Sequence, residues 1–85
     1  MYKIKVCFFA SLREQLAMES TQVVLSKPLS VLELKEKITA QYAQGSHLLD
    51  KGIQASIDFE FARDQDIIDP ETVNEVAFFP PVTGG

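Results

Sequence analysis

Two glycines, Gly84-Gly85, close this sequence directly behind Phe78-Phe79-Pro80-Pro81-Val82-Thr83. Read as a free C-terminus, the pair has no side chain to pack, costs conformational entropy to hold still, and presents a nearly bare carboxylate. Such an end makes poor structure but fits a narrow active site in another protein. Pro80 and Pro81 have fixed φ and bias the chain toward an extended form. The expected chemistry is therefore that of an arm handing its terminal carboxylate to an enzyme. The four residues beyond Pro81 span at most about 13–14 Å when extended, enough to cross the wall of a partner's pocket. A side chain at Gly84 or Gly85 is expected to block that passage.

The other residues with chemical potential read as ordinary structure. Cys7 lies in a strand-like stretch with nothing nearby to depress a thiol pKa. His47 follows Gly45-Ser46 in a loop and lacks a companion at metal-ligand spacing. Asp64, Asp66 and Asp69 lack the glycine and distal glutamate of a calcium loop and read as a solvated turn. No Ser-His-Asp or Cys-His constellation, phosphate-cradling glycine loop or cysteine-pair zinc pattern is present. The chain is expected to bind no metal or cofactor and to catalyse nothing alone.

At 85 residues the chain has room for one small domain. A single cysteine excludes an internal disulfide, which suits a reducing compartment. There is no apolar run long enough for a transmembrane helix, and Met1-Tyr2-Lys3-Ile4-Lys5 lacks a signal-peptide pattern. The expected setting is the cytoplasm, without membrane attachment. A net charge of −4 and the absence of a basic cluster argue against nucleic acid, whose phosphates require a positive surface.

The elements that must carry the arm follow from periodicity. Tyr2, Ile4, Val6 and Phe8 alternate with Lys3, Lys5, Cys7 and Phe9, a strand with one buried face. Ser11 to Met18 predicts a short helix with Ser11 as N-cap and Leu12 and Leu16 on one side. Thr21, Val23 and Leu25 point inward from a second strand. Ser30 opens the main helix with Glu33 completing a capping box; Val31, Leu34, Ile38 and Tyr42 follow at helical spacing, and Gly45 reads as the stop. Leu48 and Leu49 read as a core-anchored connection. Ile53, Ala55, Ile57, Phe59 and Phe61 alternate with polar residues as a half-buried strand, either long or broken near its end. Arg63 to Asp66 reads as a turn, Ile67-Ile68 as a brief edge strand, Asp69-Pro70-Glu71-Thr72 as a turn, and Glu75 to Phe79 as the closing strand. The order predicts an α+β arrangement, a mixed sheet of four to five strands covered by one main helix. At this length it suggests a β-grasp (ubiquitin-like) fold over residues 1–81, its first and last strands parallel at the centre, with 82–85 as a flexible tail.

The opening Ile4-Lys5-Val6-Cys7-Phe8-Phe9-Ala10-Ser11-Leu12-Arg13-Glu14 and the ending Glu75-Val76-Ala77-Phe78-Phe79-Pro80-Pro81-Val82-Thr83-Gly84-Gly85 resemble the small, sulfur-carrying subunit of molybdopterin synthase. The resemblance covers the whole chain in length and element order and is sharpest at its ends. It implies that an adenylating (E1-like) enzyme uses ATP to convert the Gly85 carboxylate to an acyl-adenylate, from which sulfur displaces AMP to leave a thiocarboxylate. It further implies docking to a large catalytic subunit, as a heterotetramer, and donation of the sulfur to a cyclic pyranopterin monophosphate during molybdenum cofactor synthesis. Gly85 would carry the reacting group, Gly84 would thread the tunnel, and Pro80, Pro81, Val82 and Thr83 would bind the partner.

Parity adds a docking surface. Phe9 falls opposite Ile4, Val6 and Phe8, and Phe79 falls opposite Val76 and Phe78. On neighbouring strands both face away from the helix, where exposed aromatics mark contact surfaces. The face implied by the resemblance is the same one, and Arg13 is expected at its rim. Three other readings share parts of the pattern: a ubiquitin-like modifier joined to lysines through the same activated glycine, a sulfur carrier for thiazole synthesis, and a binding module that makes no use of its tail.

Overall fold

The computed structural model describes residues 1–81. In chain order they form β1 (Tyr2–Phe8), α1 (Ser11–Leu16), β2 (Ser20–Leu25), β3 (Leu29–Ser30), α2 (Val31–Gln41), a 3-10 helix (Ala43–Leu49), β4 (Gln54–Ile57), β5 (Glu60–Ala62), β6 (Ile67–Ile68) and β7 (Glu75–Phe79). Five strands make one sheet in the order β2-β1-β7-β4-β5, and β3 pairs with β6 beside it. The central pair, β1 and β7, is parallel, with Val6 opposite Val76 and Phe8 opposite Phe78; the remaining pairs are antiparallel. This is the expected β-grasp arrangement.

Alternation decides which face is covered. Ile4, Val6, Phe8, Val76 and Phe78 are at most 1% exposed and join Val31, Leu34 and Ile38 of α2 in one apolar cluster. The Phe8 and Phe78 rings stack at its centre, 6.3 Å apart. Burying a ring of this kind is worth about 1.5–3 kcal/mol, so this pair helps fix the register of the two central strands. Val23 and Leu25 complete the layer from β2, while Thr21 is half-buried and hydrogen-bonds the Tyr42 hydroxyl at 3.0 Å.

The first turn of α2 leaves no donor idle. Glu33 N–H donates to Ser30 Oγ at 3.1 Å, and Ser30 N–H donates to Glu33 Oε1 at 2.9 Å, the expected capping box. Val31 and Leu32 donate to the carbonyls of Asp66 and Asp64 at 2.9 and 3.0 Å. Lys35, which the periodicity did not single out, is 3% exposed; its Nζ donates to Asp64 Oδ1 at 2.8 Å and to the Ile53 carbonyl at 3.2 Å. The polar 63–66 turn is thereby fastened to the helix by backbone and side chain together. Hydrogen bonds from the Ser30 backbone, then its side chain, hold the Glu33 carboxyl below its ordinary value. A folded-state pKa below the unfolded one gives stability that is present above the unfolded value and is lost as pH falls through the folded one. The stability advantage of wild type over Glu33→Gln should therefore shrink on acidification through the carboxylate range, read by urea unfolding at a series of pH values. Ser30→Ala should cost about 1 kcal/mol at neutral pH.

Several local expectations change. Ser11 does not cap α1: Ala10 holds that position at φ 54°, with no side-chain cap, and Ser11 is the first helical residue. Phe9 N–H still donates to the Phe78 carbonyl at 3.1 Å, so the chain stays on the sheet until residue 9 and must turn at once. Gly45 does not stop α2, which ends in extended backbone at Tyr42. Gly45 lies instead in the following 3-10 helix, where a Cβ would come within 2.9 Å of both Ile38 O and Thr39 Cα. Gly45→Ala should therefore lose about 1–3 kcal/mol, because the obstacle is helix backbone; thermal unfolding would read it. Leu48 anchors the connection at 0% exposure, whereas its neighbour Leu49 is 46% exposed.

The largest correction concerns residues 53–62. They are a hairpin, with Asp58 and Phe59 at φ 47° and 72° as a two-residue turn. Such turns need positive φ at both central residues. Asp58 also caps β7: its Oδ1 accepts from Asn74 N–H at 3.0 Å and Glu75 N–H at 2.9 Å, and its own N–H donates to the Glu75 carbonyl at 2.8 Å. The turn keeps the alternation in sequence while reversing the chain. Phe61 thus pairs with Ser56 and takes that residue's face, not that of Ala55. Phe59 and Phe61 are 83% and 79% exposed rather than inward-facing.

Candidate functional site

The side of the sheet away from α2 carries the candidate site. With Phe8 and Phe78 buried side by side, the next residues, Phe9 and Phe79, project to the opposite face. Phe9 is 50% exposed. Phe79 is half-buried because the Phe61 ring packs edge-on against it, centroids 5.9 Å apart. The registers explain the contact: Ala77 pairs with Ser56 and Ser56 with Phe61, so Phe61 stands two strands over and reaches diagonally to Phe79. With Phe59 and Ser56 these two rings line a shallow pocket of about 220 Å³.

Phe9 and Phe79 thus share a face as the parity argument required, and Phe61 and Phe59 extend it. Sequence reasoning missed both additions. Recognising Asp58-Phe59 as a reversal and counting the register outward from it was the signal that would have found them. Arg13 sits at the edge of this face. It joins Phe9, Lys5, Cys7 and Glu75 around a cleft of about 330 Å³, and its Nη1 lies 3.4 Å from Glu19 Oε1, with both groups exposed. An exposed pair of this length holds the guanidinium only weakly, leaving it available to a partner.

Cys7 lies on the same face but is buried. Desolvation, followed by the Glu75 carboxylate, pushes its thiol above its ordinary value, and Lys5 only partly offsets this. A thiol so placed stays protonated and is a poor nucleophile. His47 Nδ1 lies 3.4 Å from Asp50 Oδ2 in a surface contact. Among the described residues no group of three or more potential ligands could hold a metal ion, and no helix is long and apolar enough to cross a membrane. Pro80 is half-buried and Pro81 exposed at the end of β7. Val82, Thr83, Gly84 and Gly85, the remaining expected site residues, lie outside the described residues.

A five-stranded mixed sheet with parallel central strands and one main helix packed on it defines a ubiquitin-like β-grasp protein. The chain belongs to the ThiS family, whose model matches residues 6–85. It is 37% identical over 84 residues to the molybdopterin synthase sulfur carrier subunit of Escherichia coli (strain K12), an alignment covering 96% of this chain and 99% of that one. The resemblance read from the two ends therefore holds along the chain. Among solved structures it is similar to SAMP1 from Haloferax volcanii, with a TM-score of 0.78, 19% identity, and 98% and 99% of the two chains covered. It is also similar to small archaeal modifier protein 1 from Methanosarcina acetivorans, with a TM-score of 0.70, 20% identity, and 100% and 98% covered. At these identities the structural likeness establishes the β-grasp fold.

Proposed function

We propose that this chain is the sulfur-carrying small subunit of a molybdopterin synthase, with residues 1–81 as its docking body and 82–85 as its reactive tail. One observation carries the reading beyond the family. β7 is hydrogen-bonded on both sides, to β1 and β4, and ends at Phe79, which packs against Phe61 on the face it shares with Phe9, with Pro80 and Pro81 next in the chain. A partner seated on those rings is placed to receive the residues beyond Pro81.

The chemistry divides between carrier and partners. A carboxylate resists nucleophiles because resonance and charge both protect it. An adenylating enzyme lets the Gly85 carboxylate attack the α-phosphorus of ATP; pyrophosphate leaves and an acyl-adenylate remains. A sulfide-equivalent nucleophile then adds to the acyl carbon, AMP leaves, and Gly85 ends as a thiocarboxylate. In the large subunit's active site this sulfur adds to a side-chain carbon of the cyclic pyranopterin monophosphate, and the oxygen substituent that carbon carried leaves. Water then cleaves the acyl–sulfur bond, so the sulfur stays with the pterin and Gly85 returns as a carboxylate. The carrier contributes position and a protected sulfur, while its partners supply the catalytic groups. Two glycines let the surrounding tunnel close on backbone alone. The assembly is a heterotetramer with two small subunits, working in the cytoplasm.

The test is reaction of the purified chain with ATP, the adenylating enzyme of a molybdenum cofactor pathway and a sulfur source, followed by intact mass. The carrier reading expects a gain equal to the difference between sulfur and oxygen, localised to Gly85. A chain left unmodified by that enzyme sinks the proposal. Diglycine remnants on lysines of other proteins would point to a protein modifier, and modification only by a thiazole-pathway enzyme would point to that sister carrier.

A further inference from the structure

We propose that Gly52 is a positioning residue for the tail: its bare face seats the Pro81 ring and sets the heading with which the chain leaves β7. The proposal rests on the carrier reading, since only a chain that inserts its end needs a fixed heading. The registers bring the two residues together. Gln54 pairs with Phe79 across β4 and β7, so continuing antiparallel from that pair places Gly52 beside Pro81. Gly52 stands at φ +92° in the turn that Ile53 N–H closes onto the Asp50 carbonyl at 3.3 Å. A Cβ there would come within 3.2 Å of Pro81 Cγ, 3.6 Å of its Cβ and 3.7 Å of its Cδ. All three nearest atoms belong to one proline ring. At Gly45 an added methyl would meet helix backbone; at Gly52 it would meet the root of the tail. Two consecutive prolines are stiff, so a displacement at the Pro81 ring is passed on to the residues after it.

The turn alone explains why residue 52 is glycine, but it does not require a proline ring against it, and the two demands separate experimentally. Strain from positive φ acts whatever residue stands at 81, whereas the contact acts only while the ring is present. The test is a double-mutant cycle of wild type, Gly52→Ala, Pro81→Ala and both together. Each chain is scored for melting temperature, affinity for the large subunit, and rate of sulfur transfer from Gly85 at saturating partner, below the lowest melting temperature. Gly52→Ala should lower the saturated rate about three- to tenfold while affinity stays within about twofold, because a 3.2 Å contact makes the ring give by a few tenths of an ångström and misplacement is costly at a reacting centre. In the Pro81→Ala background the same change should have little further effect on the rate. If Gly52→Ala does not fold, Gly52→Asn takes its place in the cycle, since asparagine tolerates positive φ.

A saturated rate equal to wild type, or the same fold-loss in both backgrounds, makes Gly52 a turn residue and nothing more. In the isolated chain, nuclear Overhauser contacts between the Gly52 α-protons and the Pro81 ring must be present, and their absence overturns the seat directly. No product from wild type condemns the carrier reading and with it the role of the seat. Product from wild type with an unaffected Gly52→Ala condemns the seat alone.

Discussion

On the proposed carrier reading, a chain truncated after Thr83 should keep its fold and its partner but deliver no sulfur. Among the described residues the apolar cluster runs from Ile4 to Phe78, and Gly84-Gly85 have no side chains to add to it, so their removal should cost it nothing. Stability should stay within about 0.5 kcal/mol of the full chain, the range of substitutions that touch no packed or buried group. Affinity for the large subunit should fall only by the tail's own contacts, because Phe9, Phe61 and Phe79 remain. Product formation should drop to the uncatalysed background, because the acyl carbon that carries the sulfur has gone. Gly85→Ala tests the same point more gently: on that reading its methyl would meet the partner's tunnel wall, so activation and transfer should fall far more than melting temperature. Thermal unfolding, partner titration and a product assay on the same preparations separate these outcomes. A truncated chain that retains full activity would make this protein a plain binding module.

The second large effect belongs to the aromatic face. Phe61→Ala and Phe79→Ala should each weaken docking about ten- to a hundredfold, on the basis of about 1.5–3 kcal/mol for a ring buried by a partner. The two differ in what else they disturb. Phe61 is 79% exposed, so its loss should barely change the free chain, whereas Phe79 is half-buried and should cost some stability as well. Because the two rings touch, the double variant should lose less than the product of the single losses. Phe9 follows Phe8 on the strand beside β7, so the register sets it next to Phe79 and their losses should couple, whereas with Phe61, two strands further over, it should combine nearly independently. Calorimetric titration with the large subunit measures all of these, and unaltered affinity in Phe61→Ala would move the interface elsewhere.

Much of this was legible from the order of residues. Strict alternation located β1 and β7, and the Ser30–Glu33 box located the start of α2, because each of these signals is local and has one physical cause. Three features were hidden because their causes are distant in sequence. Phe61 and Phe59 read as inward since a two-residue reversal leaves parity intact; only the Asp58 carboxylate, capping Asn74 and Glu75 far along the chain, shows why the strand breaks there. Lys35 drew no expectation from periodicity, yet it is buried against the Ile53 carbonyl and Asp64, two acceptors no periodicity could supply. Gly45 has the composition of a helix stop but serves a close approach to the helix it follows. The candidate site divides the same way: Phe9, Arg13 and Phe79 came from parity and motif, while the hairpin's aromatics needed the register.

The most direct measurement uses chain carrying a synthetic thiocarboxylate at Gly85, mixed with the large subunit and cyclic pyranopterin monophosphate in a single turnover, with carrier mass and pterin product followed together. A dithiolene holds two sulfur atoms and each carrier brings one. The account therefore predicts two carriers returned to the carboxylate form for each dithiolene formed. Carriers that bind the large subunit yet keep their sulfur, or dithiolene that forms without any loss of carrier sulfur, would contradict it.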